Sequence, residues 1–122
     1  MVFRGISKDF ELKNEEQYNT IGQFWDELAA VYGLERLQGL GYNWNGQNMS
    51  YAIGLKNGNI PHFDFCMVLP DDGWITAVGE TERLKDLYDE IYKKGPLRYE
   101  IETFNEDGGC AVRYIRRDQH GH

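Results

Sequence analysis

One four-residue pattern, aromatic, acidic, acidic, aliphatic, occurs twice in this chain: Trp25-Asp26-Glu27-Leu28 and Tyr88-Asp89-Glu90-Ile91. Each copy lies in a segment of helical periodicity, and each is followed by two strand-like runs joined by a turn rich in Gly and Asn. The chain therefore reads as one unit written twice, a βαββ module followed by its duplicate, with half-repeats at about 2–57 and 73–117. Two half-domains that share a sheet leave a cleft along their junction, and such clefts are where small molecules bind. With 122 residues the chain supports a single domain, so no second domain for reading DNA is expected beside it.

The first unit opens with alternation over residues 2–7, where Val2, Arg4 and Ile6 are set against Phe3 and Gly5. The run reads as a strand and extends towards Phe10 and Leu12. Asn14 followed by Gln17 carries the spacing of a weak capping box. Ile21, Phe24, Trp25, Leu28 and Tyr32 then recur at helical intervals until Gly33 provides a left-handed stop. Residues 37–44 read as a strand, Asn45-Gly46 as a turn and residues 49–55 as the returning strand. Tyr51, Ile53 and Leu55 lie on one face of that strand, with Ala52 and Gly54 on the other. The small residues Gly39, Gly41, Ala52 and Gly54 are expected to share a face and leave it open.

Residues 57–62 form the expected linker between halves, and 63–69 a short connecting strand. After the turn Pro70-Asp71-Asp72-Gly73, residues 74–78 restart the repeat as a strand. Thr81 is the expected N-cap of a second helix, whose stripe is Leu84, Leu87, Tyr88, Ile91 and Tyr92 and whose end is Gly95-Pro96. Strands over 99–104 and 110–116 close the unit through the acidic turn at 105–109. The overall expectation is an α+β fold: a mainly antiparallel sheet built from duplicated βαββ modules.

Composition narrows the function. Thirteen basic residues against twenty acidic ones give a formal charge of −7, which opposes a phosphate backbone and favours cationic or neutral ligands. Nucleic acid is not an expected partner. No window approaches the roughly 18 apolar residues of a membrane span and no leader pattern opens the chain, so a cytoplasmic protein without membrane contact is expected. Cys66 and Cys110 have no CxxC spacing and read as reduced thiols packed in strands. His62 and Asp64 share a strand face without a third ligand at recognisable spacing, and His120 and His122 lie in a polar tail. No metal site is expected. Phosphate loops, dinucleotide fingerprints, nucleophile elbows and HExxH are all missing, so no cofactor is implied.

The strand Tyr99-Glu100-Ile101-Glu102-Thr103-Phe104 carries the most chemistry. Alternation puts Tyr99, Ile101 and Thr103 on one face, expected to meet the helices, and Glu100, Glu102 and Phe104 on the other. Carboxylates beside aromatic rings, partly removed from water, attract cations and have raised pKa values suited to acid or base catalysis. A solvated strand face fits the same pattern. Trp25 and Tyr88 read as core residues at helical spacing, while Trp44 either rims a cleft or caps the sheet edge.

Several of these segments together resemble the GyrI-like small-molecule-binding domain. They are Phe3-Arg4-Gly5-Ile6, Ile21-Gly22-Gln23-Phe24-Trp25, Gly39-Leu40-Gly41-Tyr42, Met49-Ser50-Tyr51, Trp74-Ile75-Thr76-Ala77-Val78, Leu87-Tyr88-Asp89-Glu90-Ile91-Tyr92 and Ile101-Glu102-Thr103-Phe104. The family also supplies effector-binding domains of AraC-type and MerR-type regulators. The resemblance implies two βαββ modules about a pseudo-twofold axis, both helices on one face of the sheet and a ligand cleft on the other. It implies that Glu102 meets a hydrophobic aromatic ligand, cationic in the first instance, and that Tyr51 walls the cleft. Trp44, Trp74, Phe104 and Glu100 complete the candidate ligand-binding set. The implied role is a stand-alone binding protein for drug sensing or sequestration linked to transcription regulation. Two alternatives accompany it: a cofactor-independent hydrolase of strained, cyclopropane-containing natural products with Glu102 catalytic, and a gyrase-inhibitor-like protein whose partner is another protein.

Overall fold

The computed structural model describes residues 1–13 and 16–117; Asn14 of the expected capping box and the histidines at 120 and 122 lie outside the described residues. The elements run β1 (Val2–Glu11), α1 (Gln17–Tyr32), β2 (Leu37–Tyr42), β3 (Asn48–Leu55), β4 (Phe65–Val68), β5 (Ile75–Glu80), α2 (Leu84–Lys93), β6 (Leu97–Phe104) and β7 (Gly109–Arg116), with single 3-10 turns at Leu34–Arg36 and Thr81–Arg83. Seven strands form one sheet in the order β4-β1-β3-β2-β6-β7-β5, each neighbouring pair antiparallel. The protein is thus α+β, with a seven-stranded antiparallel sheet and two helices.

Local chemistry explains the ends of these elements. Gly33 takes φ 92°, where a side chain would be strained, and its N–H returns to the Ala29 carbonyl to close α1. Between β2 and β3, Asn45 Oδ1 accepts from the N–H groups of Gln47 and Asn48, a side chain standing in for backbone in a tight reversal. Thr81 does not cap α2. The backbone tightens into a 3-10 turn there, and the Thr81 hydroxyl donates to the Gly109 carbonyl across the start of β7. At the far end of α2, Arg116 donates to the carbonyls of Ile91 and Gly95, placing a cation at a helix C-terminus.

Strand register decides which residues share a face. Gly41 stands opposite Tyr51 on one side and Glu100 on the other, and Glu100 in turn opposes Tyr114; Gly39 links Ile53 and Glu102, and Glu102 opposes Val112. Directly paired residues point the same way, so Tyr51, Ile53, Glu100, Glu102, Val112 and Tyr114 form one continuous face. Both helices pack on it. Phe24 and Trp25 of α1 meet Leu37, Met49, Tyr51, Ile53 and Phe104, and Tyr88 and Ile91 of α2 meet Leu97, Val112 and Tyr114.

Two expectations are corrected by this register. The small residues do not share a face: Gly39 and Gly41 look towards the helices, whereas Ala52 and Gly54 pair with Leu40 and Gln38 on the reverse side. The strand face that meets the helices is also the acidic one, not the Tyr99-Ile101-Thr103 face. Tyr99 and Ile101 instead join Phe3, Leu40, Tyr42 and Leu69 in a second apolar layer on the reverse side, together with Phe65 and Met67 of β4. That layer is rich in ring contacts, with Tyr42 stacked on Phe65 at 5.0 Å and Phe3 edge-on to Phe65 at 6.3 Å. The connecting strand β4 therefore extends the sheet beyond β1 and helps to close its reverse side. Cys110 is buried in β7 as expected, but Cys66 is exposed on β4; both are free thiols.

Candidate functional site: an acidic aromatic cavity beneath the helices

Between α1 and α2, above the helix-facing side of the sheet, lies a cavity of about 450 Å³. Its floor is made by Tyr51 of β3 and by Glu100, Glu102 and Phe104 of β6. Its walls are Gln17, Tyr18, Ile21, Gly22, Trp25 and Asp26 of α1 and Leu84, Tyr88 and Tyr92 of α2, with Trp44 at one end. The expected position, on the face away from the helices, is not where this cavity lies, because the strand register turns Glu100 and Glu102 towards the helices. Among the described lining residues the acids are Asp26, Glu100 and Glu102, and there is no lysine, arginine or histidine.

Two glycines make the floor possible. A Cβ on Gly39 would come within 2.6 Å of the Trp25 ring and closer still to the Tyr51 hydroxyl, and one on Gly41 would lie 2.7 Å from Glu100 Oε1. The rings and the carboxylate occupy the space that side chains on β2 would otherwise take. Gly22 makes room from above: nothing lies within 4 Å of a Cβ built there, so α1 turns a bare backbone towards the cavity.

Glu100 and Glu102 are only 3% and 4% exposed, a depth at which a carboxylate without compensation is strongly disfavoured. Tyrosine hydroxyls supply the compensation. Tyr51 donates to Glu102 Oε1 at 3.2 Å and itself accepts from the indole N–H of Trp25 at 3.1 Å, while Tyr88 donates to Glu102 Oε2. Tyr92 donates to Glu100 Oε2 at 2.9 Å. Tyr88 and Tyr92, one helical turn apart, stack at 5.6 Å with 15° between their planes, so α2 presents both hydroxyls to the acid pair from one side. Trp25 stands edge-on to Phe104 at 4.9 Å and closes the opposite side.

Burial, then repulsion from Glu102, lifts the Glu100 carboxyl from 4.5 to about 8, against the lowering effect of the Tyr92 hydroxyl. Burial also lifts Glu102 from 4.5 to about 7, held back by the hydroxyls of Tyr88 and Tyr51. Tyr51, Tyr88 and Tyr92 are raised well above 10, first by burial and then by the acids beside them, and so remain neutral donors. A pair of carboxyls that titrates near neutrality inside an apolar cavity can hold a proton, exchange it for a cation, or move it to and from a reacting group.

Of the six residues singled out for ligand contact, Glu100, Glu102, Tyr51, Trp44 and Phe104 come together in this cavity. Trp74 does not. It lies on the reverse side of the sheet, donates to the Pro70 carbonyl at 2.8 Å, and packs against Tyr99 and under Arg113. The turn before β5 carries it there, away from both acids. Trp25, Tyr88 and Tyr92 are additions to that set. The repeated quartet holds a usable signal for two of them, since its aromatic members, Trp25 and Tyr88, approach the acid pair from opposite helices. No group of three or more His, Cys, Asp or Glu side chains among the described residues is arranged to hold a metal ion, and no helix among them is long and apolar enough to cross a membrane.

Comparison of the chain with models of known protein families, with curated proteins and with solved structures found no match.

Proposed function

We propose that this chain is a GyrI-like small-molecule-binding domain that takes up a hydrophobic aromatic cation in the cavity beneath its helices. The observation that carries the reading is a buried carboxyl pair, Glu100 and Glu102, in an aromatic wall whose described residues include no basic side chain. Such a wall lacks its positive counterpart, and a lipophilic cation supplies one while burying its rings against Trp25, Tyr51 and Phe104. The order of elements supports the duplicated reading: strand, helix and two strands occur on each side of β4, and β2 and β6, the corresponding strands of each half, meet at the centre of the sheet. The role proposed with it is drug sensing or sequestration linked to transcription regulation.

The test is a thermal-shift and calorimetric comparison of lipophilic cations, neutral aromatics and anionic dyes on the native chain and on Glu102→Gln. Cations are expected to stabilise the native chain selectively, and the variant to bind them with a loss of about 1.5–3 kcal/mol, the range of a charge-assisted contact. Equal affinity in the variant would remove Glu102 from the site.

A second reading is favoured by one observation, the burial of Glu102 in the cavity wall, which pushes its carboxyl up towards neutrality. A carboxyl of that kind can deprotonate water for attack on a strained electrophilic ring, with no cofactor involved. Turnover of a cyclopropane-containing alkylating compound, lost in Glu102→Gln, would establish hydrolysis; binding without turnover would leave the binding role alone.

A further inference from the structure

The hydrogen-bond state of the cavity wall specifies the ligand more closely than its charge does. The donors around the acid pair are already committed: Trp25 to Tyr51, Tyr51 and Tyr88 to Glu102, and Tyr92 to Glu100. What the wall leaves over is acceptor capacity. Glu100 Oε1 lies above Gly41, and the hydroxyl of Tyr92 is spent on the other carboxylate oxygen, Oε2. Gln17 Oε1, in the first turn of α1, is out of contact with solvent and has no hydrogen-bond partner among the described residues. A buried acceptor without a donor costs on the order of 1–3 kcal/mol, so Gln17 Oε1 in the cavity wall marks a place where a bound molecule brings an N–H group.

We infer that the cavity selects organic cations that carry N–H donors, such as aromatic amidines and protonated amines, over quaternary cations of the same size, with Glu100 and Gln17 as the specificity-determining acceptors. This inference rests on the cation-binding reading above and adds to it. A quaternary ammonium satisfies the charge of the acid pair but brings no N–H to Gln17 or Glu100. An amidinium satisfies the charge and has enough N–H groups to reach carboxylate and amide together. Gln17 is neutral, so its contribution separates hydrogen bonding from Coulomb attraction.

The experiment uses three probes with one aromatic body: para-phenylbenzamidinium, para-phenyl-trimethylanilinium and neutral para-phenylbenzamide. Binding is followed at one pH and ionic strength by calorimetry and by the fluorescence of Trp25 and Trp44, both of which line the cavity. The amidinium is expected to bind roughly tenfold or more tightly than the trimethyl cation, the worth of one good charge-assisted hydrogen bond. In Gln17→Met, a change that keeps length and charge, the amidinium is expected to weaken severalfold and the trimethyl cation to hold its affinity. Because the three-probe comparison on the native chain needs no variant, it stands even if Gln17→Met perturbs the start of α1. Equal affinity of the two cations, or a preference unchanged in Gln17→Met, would overturn the inference while leaving cation binding intact. Failure of either cation to exceed the neutral amide would overturn the cation reading and this inference with it.

Discussion

Glu100 and Glu102 set the pH response of the ligand-free protein. Their pKa values are raised in the folded state, so between 4.5 and about 8 the folded chain retains protons that the unfolded chain has lost. The number of protons bound then favours the unfolded state as pH rises. Stability from this source is full below the unfolded carboxyl range and declines as pH climbs towards 8. Every tenfold difference in proton affinity corresponds to about 1.4 kcal/mol, so the decline across the window is on the order of several kcal/mol for the pair together. The melting temperature of the ligand-free chain is therefore expected to be higher near pH 5.5 than near pH 8 at matched salt. Glu100→Gln, which keeps an oxygen for Tyr92 and cannot ionise, is expected to flatten that decline and to exceed the native chain in stability at pH 8. A native profile that rises from pH 5.5 to 8 and is unaffected by the substitution would contradict this account. The strand pattern admitted raised carboxyl pKa values but fitted a solvated face too, because alternation shows only that the two acids share a face and not what covers it.

Among the helices and strands, two glycines, one lining the cavity and one beneath its floor, predict opposite outcomes. Gly22 lies in the interior of α1, where glycine costs about 0.5–1 kcal/mol relative to alanine, and open space surrounds a Cβ built there. Gly22→Ala is expected to stabilise the chain by about that amount in urea unfolding, and a bulkier Gly22→Leu to exclude ligand from the cavity. Gly41 lies in β2, where a Cβ would come 2.7 Å from Glu100 Oε1 and force the carboxylate from its place above the strand. Gly41→Ala is expected to destabilise by about 1–3 kcal/mol, as overpacking does. If both alanines behaved alike, the contrast between open and filled space above α1 and β2 would be wrong. Helix and strand periods marked both elements in the sequence. Which glycine faced emptiness and which faced a carboxylate depended on pairing partners far along the chain.

For the molecule taken together, the charge of −7 and the sheet order both matter. Binding to a phosphate backbone draws on clustered lysines and arginines that release counterions, and a chain with twenty acidic residues against thirteen basic ones opposes that exchange. A short DNA duplex is expected to migrate unretarded with this protein at physiological salt, whereas a duplex shifted at moderate protein concentration would show a basic surface that overcomes the net charge. A tight ligand, by contrast, is expected to raise the melting temperature by roughly 10 °C at a hundredfold excess over its Kd. That excess is worth about 2.7 kcal/mol, and each kilocalorie moves a domain of this size by several degrees.

Local order was written into the residues directly. Periodicity located both helices and the strands, glycine and asparagine located the turns at Gly33 and Asn45-Gly46, and the charge balance disfavoured a nucleic-acid role. These are properties of neighbouring residues, and neighbouring residues carry them. What they meant for the site came from pairing across the chain. Pairing of β6 with β2 and β7 put Glu100 and Glu102 beneath the helices instead of away from them, and it turned Gly39 and Gly41 from an open surface into room for Tyr51 and Glu100. The turn before β5 carried Trp74 to the reverse side. Trp25, Tyr88 and Tyr92 became partners of the acids because α1 and α2 dock over the same strands. A strand pattern gives two faces without assigning either to a neighbour; long-range register makes the assignment, and with it the chemistry of the site.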